Sequence, residues 1–192
     1  MKAELEWITP NAERQILRIA RVSNPKNQDS TNTSLIRYLV EHRHWSPFEM
    51  ANMCIYVETS RAISAQVLRH HSLRFQEFSQ RYADVQEMEP LQLRYQAEHN
   101  RQSSTIEVTD PHLIAVAQRA IEQSQAAYQE LLSYGVARES ARMLLPITTR
   151  TYMYINGFIR DWIHYINART YEDSQLEHQQ LATAAQQVFI EH

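Results

Sequence analysis

The chain has 192 residues, 43% of them hydrophobic and 21% charged, which suits a single globular domain, residues 1–192, with a sizeable core. It contains only two glycines, Gly135 and Gly157, so neither a Walker loop nor a dinucleotide fingerprint can be written, because both need clustered glycines that let backbone amides approach phosphate. A formal net charge of −3 argues against a general nucleic-acid binder, which would carry a basic surplus.

The nineteen positive residues are seventeen Arg and only two Lys, Lys2 and Lys26. That skew favours the planar, permanently charged fork that binds phosphate and carboxylate bidentately, so any anion is expected to be held by arginine side chains. The lone cysteine, Cys54, can form neither an intramolecular disulfide nor a Cys-based zinc site, which fits a reducing compartment. The start, MKAELEWITPNAER, lacks the apolar stretch of a signal peptide, and no run approaches the roughly 20 apolar residues of a membrane span. These features read as a cytoplasmic protein with no membrane partner.

In chain order, Ile16, Leu17 and Ile19 beyond Pro10 predict a first helix over residues 10–20, followed by a polar loop from Ser23 to Thr33. Leu35, Ile36, Leu39 and Val40 repeat at helical spacing, and Ser46-Pro47 is the expected stop. Residues 53–57 (MCIYV) read as a strand. Ser60 is a good N-cap for a helix carrying Ile63, Val67 and Leu68, with Gln66, Arg69 and His70 near its end, and the residues after it read as irregular.

Residues 84–110 are polar and read as an excursion with little core. Pro111 opens a long amphipathic helix that Gly135 closes, and a short helix spans Val136 to Leu144 before Pro146. Thr148 to Ile155 reads as a strand, Phe158 to Arg169 as a helix with Ile159, Trp162, Ile163 and Ile166 inward, and Ser174 to Ile190 as the last helix. Gly157 is expected at the turn between that strand and helix. The pattern is α+β, with too few strands for an alternating parallel sheet.

Chemistry concentrates in three places. Residues 69–82 (RHHSLRFQEFSQRY) hold three Arg and one Glu interleaved with Phe75, Phe78 and Tyr82, so the segment is expected to pack inward; one carboxylate cannot satisfy three guanidiniums, which favours a phosphate ligand. Residues 42–49 (HRHWSPFE) bring His42 and His44, whose spacing does not match zinc motifs, although a metal-dependent nucleotide hydrolase is the alternative that nine histidines suggest. Arg138 and Arg142, then Arg160 and His164, are i,i+4 pairs, each explicable by salt bridges to Glu139 or Asp161. Arg recurring with His in three places is what a large polyanionic ligand requires. Ser79 has no glycine elbow, and Cys54, in an apolar strand, reads as a buried structural thiol.

At residues 69–82 the sequence resembles the flavin-dependent thymidylate synthases. Their signature, Arg-His-Arg, seven residues and then Ser-x-Arg-Tyr, stands here as Arg69-His70-His71 with Ser79-Gln80-Arg81-Tyr82. His44-x-Ser46-Pro47-Phe48-Glu49, Gln66, Ala141-Arg142-x-x-Leu145-Pro146 with Arg169, and Gln175-x-Glu177-His178 resemble further boxes of the family, covering roughly residues 21–82 and 136–182.

The resemblance implies an unusual α+β fold with a small, mostly antiparallel sheet flanked by long helices, assembled as a homotetramer whose subunits share each site. It further implies methylation of dUMP at C5 to dTMP, with 5,10-methylenetetrahydrofolate as carbon donor and FAD reduced by NADPH. Carried over by position, Gln66, Arg69, Glu77, Ser79, Gln80, Arg81 and Arg142 would contact dUMP. Ser46, Arg69, His70, His71, Glu77, Phe158, Ile159, Arg160 and His164 would contact FAD. Arg169 would favour the N3-ionised uracil, Ser79 would position the ligand by its hydroxyl rather than attack C6, and His44 would join them at the catalytic centre. No metal is implied. The chain departs from the family at His71, where Arg is usual, at His164, where Asn is more common, and at Phe158, where Asn is usual, so a flavin contact there would be through backbone or packing.

Overall fold

The computed structural model describes residues 1–84 and 87–192. Its centre is a four-stranded antiparallel sheet in the order β1-β2-β6-β3, made of β1 (Lys2–Ile8), β2 (Asn52–Ser60), β6 (Arg150–Phe158) and β3 (Arg74–Glu77). The helices are α1 (Ala12–Ala20), α2 (Ser34–Glu41), α3 (Arg61–Val67), α4 (Pro111–Ser133), α5 (Arg138–Ala141), α6 (Ile159–Arg169) and α7 (Leu176–Glu191). Strands β4 (Arg94–Gln96) and β5 (Ser104–Glu107) pair antiparallel in a second small sheet.

β2 and β6 match residue for residue from Asn52↔Phe158 to Ser60↔Arg150, so their alternation runs in step. Met53, Ile55 and Val57 meet Met153 and Ile155 on one face, which α3, α6 and α7 cover with Ile63, Val67, Trp162, Ile166, Leu181 and Ala185. Trp162, fully buried, donates its indole N–H to the Met53 carbonyl at 2.9 Å, so the largest core side chain leaves no donor unpaired. Cys54 is buried in β2 and burial pushes its thiol up, consistent with an unreactive structural role.

Several elements differ from the sequence expectation. β1 is a strand because Ala3 and Leu5 alternate inward against β2. Residues 74–77 are β3, an edge strand paired with β6, rather than irregular chain. α2 stops at Glu41, not at Ser46-Pro47: Arg43 takes φ 57°, and the N–H groups of His42, Arg43 and His44 close onto the last carbonyls, in a left-handed stop usually given to glycine. Ser46-Pro47 instead begins a 3-10 turn, Ser46–Met50.

Gly157 lies within β6 opposite Met53, not at a turn. A Cβ there would fall 2.3 Å from Leu73 Cδ2, so this glycine serves close approach. The excursion is more ordered than its polarity suggests, since Val108 is buried and Met88 bridges Thr149. Expected ends held elsewhere: Ser60 Oγ accepts from Ile63 N–H, and Pro111 opens α4 and Gly135 at φ 80° closes it, with Asp110 as the cap that the sequence reading had left in the excursion. Val85 and Gln86, part of the expected excursion, lie outside the described residues.

α4 has 23 residues, about 34 Å of helix, yet only Tyr128 on it is buried, packing with Ala141, Phe78, Leu131, Leu132 and Leu145. Leu113, Ile114 and Val116 remain exposed. Among the described residues, no helix is long and apolar enough to cross a membrane.

Candidate active site

The sheet and its covering helices bring the ends of α3, α6 and α7 together. Arg169, in the last turn of α6, donates from Nε to His70 Nε2 at 2.9 Å just beyond α3. That bond needs a lone pair on His70, and burial followed by the nearby Arg169 charge lowers the His70 pKa, keeping the ring neutral. Among the described residues, the Nη groups of Arg169 meet no protein acceptor, so the four N–H donors of the fork stay unpaired.

Behind this pair lies His178 of α7, fully buried. Its Nδ1 is 3.1 Å from Gln66 Oε1 and its Nε2 3.3 Å from the Tyr165 hydroxyl. Burial, then Arg169 and His70, lowers its pKa to about 4. Gln66 and Arg169 are thus linked through His178 and His70, whose rings meet edge-on with centroids 6.1 Å apart.

A second group follows β3. Glu77 receives Arg61 at 2.6 Å and the Thr151 hydroxyl at 2.9 Å, so its carboxylate is held by α3 and β6. Gln80 is buried, and Arg81 pairs with Glu139 at 3.1 Å. Arg138 pairs with Asp84 rather than with Glu139. Phe78 packs edge-on to Tyr152 at 5.8 Å and turns this segment inward, as the interleaved aromatics suggested. Tyr82 departs from that expectation and is 88% exposed.

A third group joins the Ser46–Met50 turn to the start of α6. Arg160 pairs with Glu49, not with Asp161, which is buried and whose carboxyl pKa burial raises. His164 sits edge-on to Trp45 with ring centroids 4.8 Å apart. Ile159 is buried, whereas Phe158 and Ser46 are exposed. The Ile159 side chain is therefore closed to a flavin, and its backbone N–H is already given to the Ala51 carbonyl at 2.9 Å.

Arg69, His71 and Ser79 are exposed, and Arg69 makes no side-chain hydrogen bond or ion pair among the described residues. His44 is exposed beside Tyr38 and His42, away from the groups around Arg169 and Glu77 in every contact it makes. Arg61 and Thr151 bind Glu77, and Tyr165 meets His178, without any of the three having been singled out in the sequence. Among the described residues, no three His, Cys, Asp or Glu side chains gather as a metal would require.

Among the described residues, five buried side-chain polar atoms lack a partner: Gln80 Nε2, Arg142 Nε, Arg160 Nε, Thr148 Oγ1 and Asn156 Oδ1. The first two belong to expected dUMP contacts and the third to an expected flavin contact. Buried donors left unpaired are costly, so their concentration on these residues fits anionic, acceptor-rich ligands. Arg160 and Arg169 are nine residues apart on α6, about half a turn in azimuth and roughly 13 Å along the axis. A flavin held by Arg160 and a pyrimidine held by Arg169 would therefore face opposite sides of this helix in one protomer.

Gln80, Arg142 and Arg160 each keep a buried donor without a protein partner, with no glycine cradle beside them, the kind of group that an anionic ligand would satisfy. The family model described as thymidylate synthase complementing protein, Thy1, matches residues 4–192, and the chain belongs to that family. It is 48% identical over 185 residues to a probable flavin-dependent thymidylate synthase of Paramecium bursaria Chlorella virus 1, covering 93% of this chain and 86% of that one. It is 40% identical to the flavin-dependent thymidylate synthase of Synechocystis sp., covering 90% and 82%. Among solved structures it is similar to the UMP/dUMP methylase PolB from Streptomyces cacaoi bound with 5-Br dUMP, at TM-score 0.87 and 26% identity, covering 99% of this chain and 90% of that one.

Proposed function

We propose that the protein is an FAD-dependent thymidylate synthase that methylates dUMP at C5 to dTMP, with 5,10-methylenetetrahydrofolate as carbon donor and NADPH as the source of reducing equivalents. The observation that carries this reading is the free fork of Arg169, anchored through Nε to a neutral His70. A fixed guanidinium beside the uracil imide would stabilise negative charge at N3 and O2 and enrich electron density at C5, where the new carbon bond forms. The anchor keeps that charge oriented before substrate arrives.

Gln80, Arg81 and Arg142 would hold the nucleotide phosphate and sugar, with Glu77 braced by Arg61 on the ribose side. Ser79 would orient the ligand by its hydroxyl. Arg160, His164 and Ser46, with Arg69 and His71 from the loop after α3, would hold FAD, and the bound flavin would supply the hydride that the methyl group needs.

The opposed faces of α6 and the uncovered apolar side of α4 both support a homotetramer in which each site takes residues from more than one subunit. Residues 1–192 act as one unit in this reading, in the cytoplasm.

The experiment is a light-scattering mass combined with a visible spectrum before and after dUMP. A yellow tetramer whose flavin bands shift on dUMP addition is expected. A monomer that takes up no FAD would count against it.

A further inference from the structure

We infer that His178 is a positioning residue that fixes which end of the Gln66 amide faces the nucleotide, through a hydrogen-bond relay of single polarity. It rests on the reading that Gln66 touches the nucleotide. Five bonds make the relay: Tyr165 hydroxyl to His178 Nε2 at 3.3 Å, His178 Nδ1 to Gln66 Oε1 at 3.1 Å, Gln66 Nε2 to Gln175 Oε1 at 2.6 Å, Gln175 Nε2 to Glu177 Oε2 at 2.9 Å, and Arg94 Nη2 to Glu177 Oε1 at 2.6 Å.

Its direction follows from chemistry at one end. The Glu177 carboxylate accepts only, and the Arg94 guanidinium beside it holds it ionised, helped by Gln175, against the opposing effect of burial. Gln175 must therefore present its NH2 to Glu177 and its oxygen to Gln66. Gln66 must then present its NH2 to Gln175 and its oxygen to His178. His178 is left with the proton on Nδ1 and a lone pair on Nε2, which the Tyr165 hydroxyl fills. An Asn or Gln amide can ordinarily flip; here every orientation is set by an acceptor-only group adjacent to the histidine in sequence.

The consequence reaches the ligand. Gln66 turns Oε1 toward fully buried His178, so the group it offers outward is the second Nε2 hydrogen. That is a donor, suited to an acceptor oxygen of the nucleotide, a ring carbonyl or a phosphate. Without His178, Gln66 Oε1 loses its buried donor, and the single bond from Nε2 to Gln175 is left to oppose rotation of the amide. A buried neutral histidine suits the task because its ring is rigid and cannot flip its own polarity while Tyr165 and Gln66 hold both nitrogens.

Two measurements test the relay. In the ligand-free protein, 15N-histidine NMR at neutral pH should show His178 neutral with the proton on Nδ1; a proton on Nε2, or a cation, overturns the relay whether or not dUMP is a substrate. In steady-state assays, His178→Leu should raise KM for dUMP ~10-fold with a smaller change in kcat, and His178→Asn, whose amide can donate from nearly the same point, should recover most of it. A folded His178→Leu with the parent KM overturns the positioning role. Should that variant fail to fold, Glu177→Gln removes the acceptor-only end and should raise KM likewise; an unchanged KM there overturns the role. Competition by deoxyuridine separates the two oxygens: a Leu penalty that persists indicates the ring carbonyl, and one that vanishes indicates the phosphate. If the parent protein binds no dUMP, the assigned activity fails while the NMR result still decides the relay.

Discussion

Arg169 and His70 form one unit: the guanidinium donates through Nε to an imidazole that must be neutral to accept it, at 2.9 Å. The contact joins the end of α6 to the loop after α3, and it leaves the outer fork of Arg169 unpaired among the described residues. Replacing Arg169 by Ala is expected to lower kcat for dTMP formation roughly 100- to 1,000-fold, the scale of a lost charge-stabilising donor. FAD should be retained, because the expected flavin side chains of α6 lie on its other face. Turnover assays with flavin content measured alongside check both halves.

Arg142 has a buried Nε with no protein partner, so little folding energy rests on its charge. Arg142→Ala is expected to raise KM for dUMP about 10- to 100-fold, as loss of a charge-assisted bond to an anion would. Its unfolding midpoint should stay near the parent's. Parallel kinetics and thermal melts separate this from a structural role.

Stability should depend on pH through His178. Its folded pKa, about 4, lies below the unfolded value of 6.5, so in that window the unfolded chain binds a proton that the folded chain does not. Stability is therefore full above about pH 6.5 and falls as pH drops toward 4, by up to roughly 3 kcal/mol from this group. The groups facing His178 are Tyr165 and Arg169 from α6, His70 from the loop after α3, and uncharged Gln66. His70, also lowered, adds in the same direction. Urea melts between pH 4 and 7.5 should show the slope, and His178→Asn should flatten it.

Gly157 has no room for a methyl group, because Leu73 Cδ2 would lie 2.3 Å from it and Leu73 is buried. Gly157→Ala is expected to cost about 1–3 kcal/mol by overpacking. Since Leu73 lies between His70 and β3, the variant should also weaken nucleotide binding; calorimetric melting and dUMP titration check the two effects.

Helices α3 and α4 were legible because their ends carry explicit signals: Pro111 and Gly135 bracket α4, and Ser60 caps α3. β3 was not, since Arg-Phe-Gln-Glu has one apolar side chain and becomes a strand only by pairing with β6. The end of α2 was hidden because Arg43 does the work of a glycine. Gly157 was misassigned because a sequence shows a glycine's freedom but not the Leu73 side chain that requires it. The expected ligand residues came from motif resemblance, and three of them, Gln80, Arg142 and Arg160, carry buried polar atoms without a partner among the described residues. The His178 relay could not be read at all, because Gln66 meets His178 and Gln175 across 112 and 109 residues of chain.

The central claim is methyl transfer to dUMP, and the most direct measurement is chromatographic detection of dTMP. Purified protein loaded with FAD and given dUMP, NADPH and 5,10-methylenetetrahydrofolate should form dTMP and tetrahydrofolate, and omission of any one reactant should abolish it. Unchanged dUMP from flavin-loaded, folded protein in the complete mixture would contradict the account.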